Sequence, residues 1–168
     1  MLIICSSFVS KADLKDSLKH KFMIYSPAFQ NQGAYPKLYT CDSSALSPPV
    51  YWRNVPTGTT SFALTMHHLD KDGNKHVYMV LYNIPLANLG VPQAVKDLGI
   101  WGSNSLNPIP GYSPPCSKGP GKKAYLITAY AISGLLNSSK KVLSMDELLT
   151  EIKDKVLDKS EMVVTYQR

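Results

Sequence analysis

Apolar and polar positions alternate most clearly over residues 61–85, SFALTMHHLDKDGNKHVYMVLYNIP. Phe62, Leu64 and Met66 alternate with Ala63, Thr65 and His67, the period-two pattern of a β-strand. Val77, Met79 and Leu81 then alternate with Tyr78, Val80 and Tyr82. This second run is apolar at nearly every position, as expected of the more central strand. Between the two, DKDGNK reads as a turn in which Gly73 and Asn74 supply positive φ at little cost.

Other segments follow the same logic. FMIYS, running into Pro27, predicts a short strand, and so does LYTC at 38–41. DSSALSPP at 42–49 reads as a loop in which Pro48-Pro49 forces extended backbone, with a cis bond there left open. Val50 to Arg53 is a strand carrying Trp52, and VPTGTT turns the chain into the central hairpin. Residues 86–121 lose periodicity and hold six prolines and six glycines, with Trp101 and Tyr112 among them. Loops of that length in compact domains are often functional. AYLITAYAIS at 124–133 returns to strand.

Ser144 opens the strongest helix signal, forming a capping box with Glu147. Met145, Leu148, Leu149, Ile152, Val156 and Leu157 make one apolar stripe, with Glu151, Lys153, Asp154, Lys155 and Asp158 opposite. That pattern predicts a packing element, followed by a last strand over MVVTY at 162–166.

Composition narrows the class. Twelve Pro, ten Gly and ten Tyr in 168 residues, with 18% charged, favour a turn-rich β protein. The length suits one domain with a substantial core, and no internal repeat or linker interrupts it. The domain is expected over residues 21–168, with residues 1–20 as an extension. Its opening MLIICSSFVS is apolar but short, and lacks a basic flank. It reads equally as the remnant of a signal peptide, a first strand or a disordered start.

No run reaches the length of a membrane-spanning helix. The net charge of +6 suits an anionic ligand or surface. The charge is dispersed, and no basic helix, aromatic RNA-binding pattern or zinc-finger spacing points to nucleic acid. Cys5, Cys41 and Cys116 are too few for a disulfide scaffold, although one pair can form with one thiol left over. Neither the cytosol nor an exported location is selected by that count.

The candidate chemistry lies at the central hairpin, where His67, His68, Asp70, Asp72 and His76 crowd one strand end. A solvated hairpin tip is the ordinary explanation of such a cluster. A ligand site is the sharper one. No HxH, HExxH or cysteine pair frames these residues, so neither a metal nor a cofactor is expected.

A set of motifs in a fixed order resembles one family. SPAF (26–29), YTCD (39–42), LSPPVYW (46–52), VPTGTTSFAL (55–64), HHLDKD, VLYNIP (80–85), GSNS (102–105), GYSPPC (111–116), GPGKKAYLITAYAIS (119–133) and the closing SMDELLTEIKDKVLDKSEMVVTYQR carry the likeness. Over residues 22–168 the chain is similar to the phosphatidylethanolamine-binding proteins, also called Raf-kinase-inhibitor-protein-like, as a divergent bacterial-type branch. The resemblance implies a β-rich α+β fold, with a large antiparallel sheet packed on a smaller one and a C-terminal amphipathic helix. It also implies a pocket at one end of the sheet that holds phosphate, acetate or a phospholipid headgroup. Its lining comes from a DPDAP-like segment, a His-Trp pair and a GxHRY segment.

The carry-over of that lining is partial. His68-Leu69-Asp70 falls where the family has Asp-Pro-Asp, and Tyr78 takes the first histidine's place, with His76 two residues earlier on the same face. Lys123 takes the second histidine's place and Ala124 the arginine's. The resemblance and the residues together point to His68, Asp70, His76, Tyr78, Tyr112, Lys123 and Tyr125 as ligand-binding candidates. Asp70 can orient a histidine or accept from an ammonium. Gly119, Gly121, Lys122 and Lys123 can bring backbone N–H groups and charge to a phosphate, without forming a Walker loop. Within the resemblance, Cys41 and Cys116 border the pocket and are candidates for a disulfide; free cysteines are the alternative.

The expected function is therefore a non-enzymatic binding protein for a small anion or lipid headgroup. Modulation of a kinase or protease is implied by the family alone. A protein-interaction module with a vestigial pocket is the alternative. A His/Asp hydrolase is disfavoured, because no GxSxG elbow or activated cysteine signature is present.

Overall fold

The computed structural model describes residues 21–116, 121–138 and 142–168. The extension at 1–20 lies outside the described residues, as does Gly119. Among the described residues, eight strands form two antiparallel sheets. The smaller sheet has the order β1 (Met23–Tyr25), β2 (Val50–Arg53) and β5 (Gly90–Val91). The larger has the order β6 (Ile100–Trp101), β4 (Lys75–Pro85), β3 (Ser61–Leu69), β7 (Lys123–Ile132) and β8 (Val156–Tyr166). An α-helix, α1 (Met145–Ile152), follows β7. Among the described residues, no helix is long and apolar enough to cross a membrane.

The large sheet is covered on both faces, which explains why its strands are so continuously apolar. One core joins Phe22, Ile24 and Trp52 to Phe62, Leu64, Met66, Met79 and Ile127. The other joins Ala63, Val80, Tyr82 and Ile132 to Leu136, Leu143, Met145, Leu148 and Ile152. Alternate residues of β3 thus serve two different cores, not a core and solvent. The Trp52 ring lies tilted against Phe62, centroids 4.6 Å apart, and ties the small sheet to the large one. The partner edge of β1 is closed by β8 side chains: the Phe22 N–H donates to Asp158 Oδ2 (3.3 Å) and the Ile24 N–H to Ser160 Oγ (3.0 Å).

The central strand is β3, flanked by β4 and β7, so the more apolar run is not the more central one. Its apolarity reflects two-sided cover instead. The simple alternation expected for β4 also fails. Two register shifts against β3 leave extra β4 residues, one at Tyr78 and one beside Asn83. Asn83 takes φ 53° there and holds Leu136 through both its amide atoms. The shift at Tyr78 puts Tyr78 on the inter-sheet side with Met79 and Leu81, while Val77 faces the helix-side core with Val80.

Three further expectations are corrected. LYTC is not a strand: Lys37–Tyr39 forms a 3-10 turn, entered through Pro36 and closed by the Thr40 N–H and hydroxyl on the Lys37 carbonyl. In the hairpin turn only Gly73 has positive φ (83°), while the Asn74 N–H is taken by Asp70. The helix stops at Ile152, and Val156, Leu157 and Asp158 belong to β8, which begins at residue 156 and not 162. Pairing along almost all of β7, from Ile132↔Val156 to Lys123↔Tyr166, overrides the helical periodicity there. The capping box forms as the sequence predicts, with the Glu147 N–H donating to Ser144 Oγ and the Ser144 N–H to Glu147 Oε2. No cis peptide occurs among the described residues, Pro48 and Pro49 included.

The long segment after Pro85 is anchored along β4. The Gly102 N–H donates to the Val80 carbonyl (2.8 Å), Ser105 N–H to Val77 (3.0 Å) and Ser113 N–H to Tyr78 (2.8 Å). Gly102 is required by crowding: a Cβ there would lie 2.3 Å from the Leu143 carbonyl oxygen and 2.6 Å from Val80 Cγ1. Gly102→Ala is expected to cost about 1–3 kcal/mol through overpacking. That corresponds to a fall of roughly 3–10 °C in Tm, measured by scanning calorimetry. An unchanged Tm would mean that this segment yields freely.

Candidate functional site

The end of β3, the start of β4 and the start of β7 meet at one edge of the large sheet. His68 and His76 are directly paired across β3 and β4, and their rings stack at 4.8 Å. The bulge turns Tyr78 toward the same place, where its hydroxyl meets His68 Nδ1 at 2.8 Å. Tyr125 packs behind, 5.3 Å from the rings of both His68 and Tyr78. Lys123 opens β7 beside them.

These residues border two adjoining clefts. One, of about 590 Å³, is lined by His68, Asp70, His76, Tyr78 and Lys123, and by Cys41, Leu106, Asn107, Ser113, Pro114 and Cys116. The other, of about 650 Å³, is lined by His68 to Asp72 and Lys122 to Ala124. His68, Asp70 and Lys123 belong to both and form the ridge between them.

Asp70 organises the ridge. Its Oδ1 accepts from the N–H groups of Asp72 (3.0 Å) and Asn74 (2.8 Å), closing the hairpin turn. Its Oδ2 accepts from Asn74 Nδ2 (3.1 Å) and from His76 Nε2 (3.0 Å). An ionised carboxylate only accepts, so His76 carries a proton on Nε2 and presents Nδ1 away from Asp70. The His76 bond, then the Asn74 N–H, hold the Asp70 carboxyl well below the usual carboxylate range.

His68 is shifted the other way for a base. Burial disfavours its charged form, and His76 and Lys123 add repulsion, so its pKa falls below the ordinary value. Burial and the neighbouring Tyr125 raise the Tyr78 phenol, so it stays protonated. A Tyr78 hydroxyl donating to Nδ1 leaves the imidazole proton of His68 on Nε2. Tyr125 is pushed up to about 12, chiefly by burial. The arrangement offers N–H and ammonium donors at a partly open mouth, over a floor of protonated phenols. Such a mouth favours an anion.

Five of the seven candidate residues therefore line the clefts: His68, Asp70, His76, Tyr78 and Lys123. Tyr125 does not reach the surface and supports the floor from behind. Tyr112 is elsewhere, its hydroxyl bonded to the Tyr39 carbonyl and 3.1 Å from Tyr35 Oη, with its ring against a separate shallow cavity near Trp101. His67 points to the opposite face of β3. Among the described residues, no group of three or more His, Cys, Asp or Glu is placed to hold a metal ion.

Asn107 and Ser113 went unrecognised in the sequence. They belong to a loop built by Asn104, whose Oδ1 accepts from the Leu106 and Asn107 N–H groups (both 2.9 Å) and from Ser113 Oγ (3.0 Å). The Asn-rich GSNSLN run was the available signal, since asparagine side chains build such turns. Cys41 and Cys116 are joined as a disulfide, with Cα atoms 5.3 Å apart, and form part of the cleft wall. The bridge pins this loop to the 3-10 turn, where the Cys41 N–H also donates to the Pro115 carbonyl (3.1 Å).

Comparison with known proteins agrees with this architecture. The family model "Phosphatidylethanolamine-binding protein" matches residues 25–167, and the chain belongs to that family. A UPF0098 protein of Methanothermobacter thermautotrophicus is 29% identical over 147 residues, covering 84% of this chain and 95% of the relative. One from Aquifex aeolicus is 29% identical over 151 residues, covering 86% and 88%. The crystal structure of a phosphatidylethanolamine-binding protein homologue from Chlamydia trachomatis superposes with a TM-score of 0.82 at 22% identity, over 89% of this chain and 99% of that one. Escherichia coli YbcL, described as a member of the mammalian family, gives 0.78 at 18% identity, over 88% and 99%.

Two outcomes test this geometry. The folded chain binds the His68 proton less readily than the unfolded chain. Stability contributed by neutral His68 is therefore present above about pH 6.5, the ordinary histidine value, and is lost as pH falls below it. Denaturation midpoints should fall from about pH 7 to about pH 5, less so in His68→Gln. Equal falls in both proteins would place the titration elsewhere. Reducing the Cys41–Cys116 bridge, which spans 75 residues, should destabilise the fold by roughly 4 kcal/mol, read as a lower Tm with reductant.

Proposed function

We propose that this chain is a binding protein and not an enzyme, and that its ligand is a small anion: phosphate, free or as part of a phospholipid headgroup. The observation that carries this reading is the convergence of His68, His76 and Lys123 on two clefts that share one mouth. The net charge of +6 draws anions toward that mouth. Lys123 supplies the permanent charge and His68 Nε2–H a directional contact, while His76 Nδ1 can accept from the hydroxyl of a singly protonated phosphate.

Among the described residues lining the clefts, no serine or cysteine nucleophile is paired with a base. The Asp70–His76 pair resembles the base end of a catalytic dyad. Ser113, the serine lining the cleft, is bonded to Asn104 and Asn107, and not to His76. A second reading is an interaction module for a kinase, protease or other protein, with the cleft vestigial. Exposed Leu69 and Leu106, which line the clefts, favour it.

Calorimetric titration with inorganic phosphate separates the two. Lys123→Ala and His76→Ala are each expected to weaken phosphate binding by about 1–3 kcal/mol, the range for hydrogen bonds to charged groups. Absence of measurable phosphate binding in the wild-type protein would reject the anion reading in favour of the module.

A further inference from the structure

Asp70 is the one cleft carboxylate placed to accept from the cationic end of a zwitterionic ligand, and its acceptor capacity is already used. A carboxylate offers about four lone-pair positions. Asp70 fills four: Asp72 N–H and Asn74 N–H on Oδ1, Asn74 Nδ2 and His76 Nε2 on Oδ2. Freeing one would open the hairpin turn or release His76. Among the described residues, the other carboxylate lining either cleft is Asp72. Its side chain is 66% exposed, and the Lys71 ammonium lies 4.0 Å away, which offsets its charge.

Lysines dominate the rest of the mouth: Lys123 stands on the ridge beside the neutral His68, an N–H donor, and Lys71 and Lys122 line the neighbouring cleft. A phosphate entering here gains from every one of these groups. An ammonium tethered a few bonds from that phosphate meets Lys71, Lys122 and Lys123, and among the described residues its one open carboxylate is the exposed Asp72 beside Lys71.

Resting on the anion reading above, we propose that the site selects phosphate monoesters whose organic part carries no positive charge, and discriminates against phosphoethanolamine. Asp70 is the positioning residue behind this selectivity, because its lone pairs are taken by the turn and by His76. Two sources present the accepted chemistry: a soluble phosphate monoester, and the monoester headgroup of phosphatidic acid.

The test is calorimetry at about pH 7.5, where both phosphates are mainly dianionic, with methyl phosphate and phosphoethanolamine as probes. Methyl phosphate should bind tighter by on the order of fivefold, from like-charge repulsion at a partly exposed site. Lys122→Glu removes one repelling charge and adds an exposed carboxylate, so it should narrow or invert that ratio. Phosphoethanolamine binding as tightly as methyl phosphate, or tighter, overturns the proposal while leaving the anion reading intact. Failure of both probes to bind overturns the anion reading and the proposal with it. Sedimentation with phosphatidylcholine vesicles, with and without phosphatidic acid, distinguishes the sources. Retention only with phosphatidic acid, competed by methyl phosphate, supports the lipid source. Methyl phosphate binding without vesicle retention supports the soluble one.

Discussion

The extra residue in β4 at Tyr78 is the constraint on which the site depends. Without it, Tyr78 and Met79 would face opposite sides of the sheet. With it, Tyr78 joins Met79 on the inter-sheet side, where its hydroxyl meets His68. A bulge interrupts the ladder, and unpaired backbone groups inside a protein are costly. Here the segment at 102–113 accommodates the interruption, donating to the carbonyls of Val77, Tyr78 and Val80. One irregularity therefore aims a floor residue and seats the cleft wall. Gly102 allows that seating, and the Cys41–Cys116 bridge holds the far end of the same wall.

Charge at the mouth follows from the hairpin turn next to it. Asp70 closes the turn through three contacts and directs its fourth to His76. The turn is thus stabilised by the group that sets the histidine's orientation. Behind it, His68 is kept neutral by burial and by its cationic neighbours, while the phenols of Tyr78 and Tyr125 keep their protons. The lone pairs of Asp70 are taken, so it offers the cleft no free acceptor. An incoming anion would reverse the balance at His68 by supplying the countercharge that burial denies it.

Much of the fold was legible because it rests on local signals. The strand runs of β3, β4 and β7 and the Ser144–Glu147 capping box are written within a few residues. What escaped depends on distant partners. Val156 to Asp158 continue the helical stripe, but β7 pairs with them and makes them strand. Lys37–Tyr39 looks extended until Pro36 and Thr40 close it into a turn. The order of strands could not be read from apolarity, since two-sided cover makes β4 as greasy as a central strand. In the site, ordered motifs placed His68, Asp70, His76, Tyr78 and Lys123 at one edge. Tyr112 was misplaced because a tyrosine in a functional-looking loop does not declare where its hydroxyl goes, which is to the Tyr39 carbonyl. Asn107 and Ser113 were missed because their positions come from a side-chain network centred on Asn104.

The central claim is that His68 and Lys123 together bind an oxyanion where the two clefts meet. The most direct measurement is a crystal structure of the protein soaked in tungstate, a tetrahedral oxyanion whose metal centre is located by anomalous scattering. The account predicts one dominant peak at that mouth, with tungstate oxygens in hydrogen-bond contact with His68 Nε2 and Lys123 Nζ. A dominant peak elsewhere, with the mouth empty of tungstate, would contradict it.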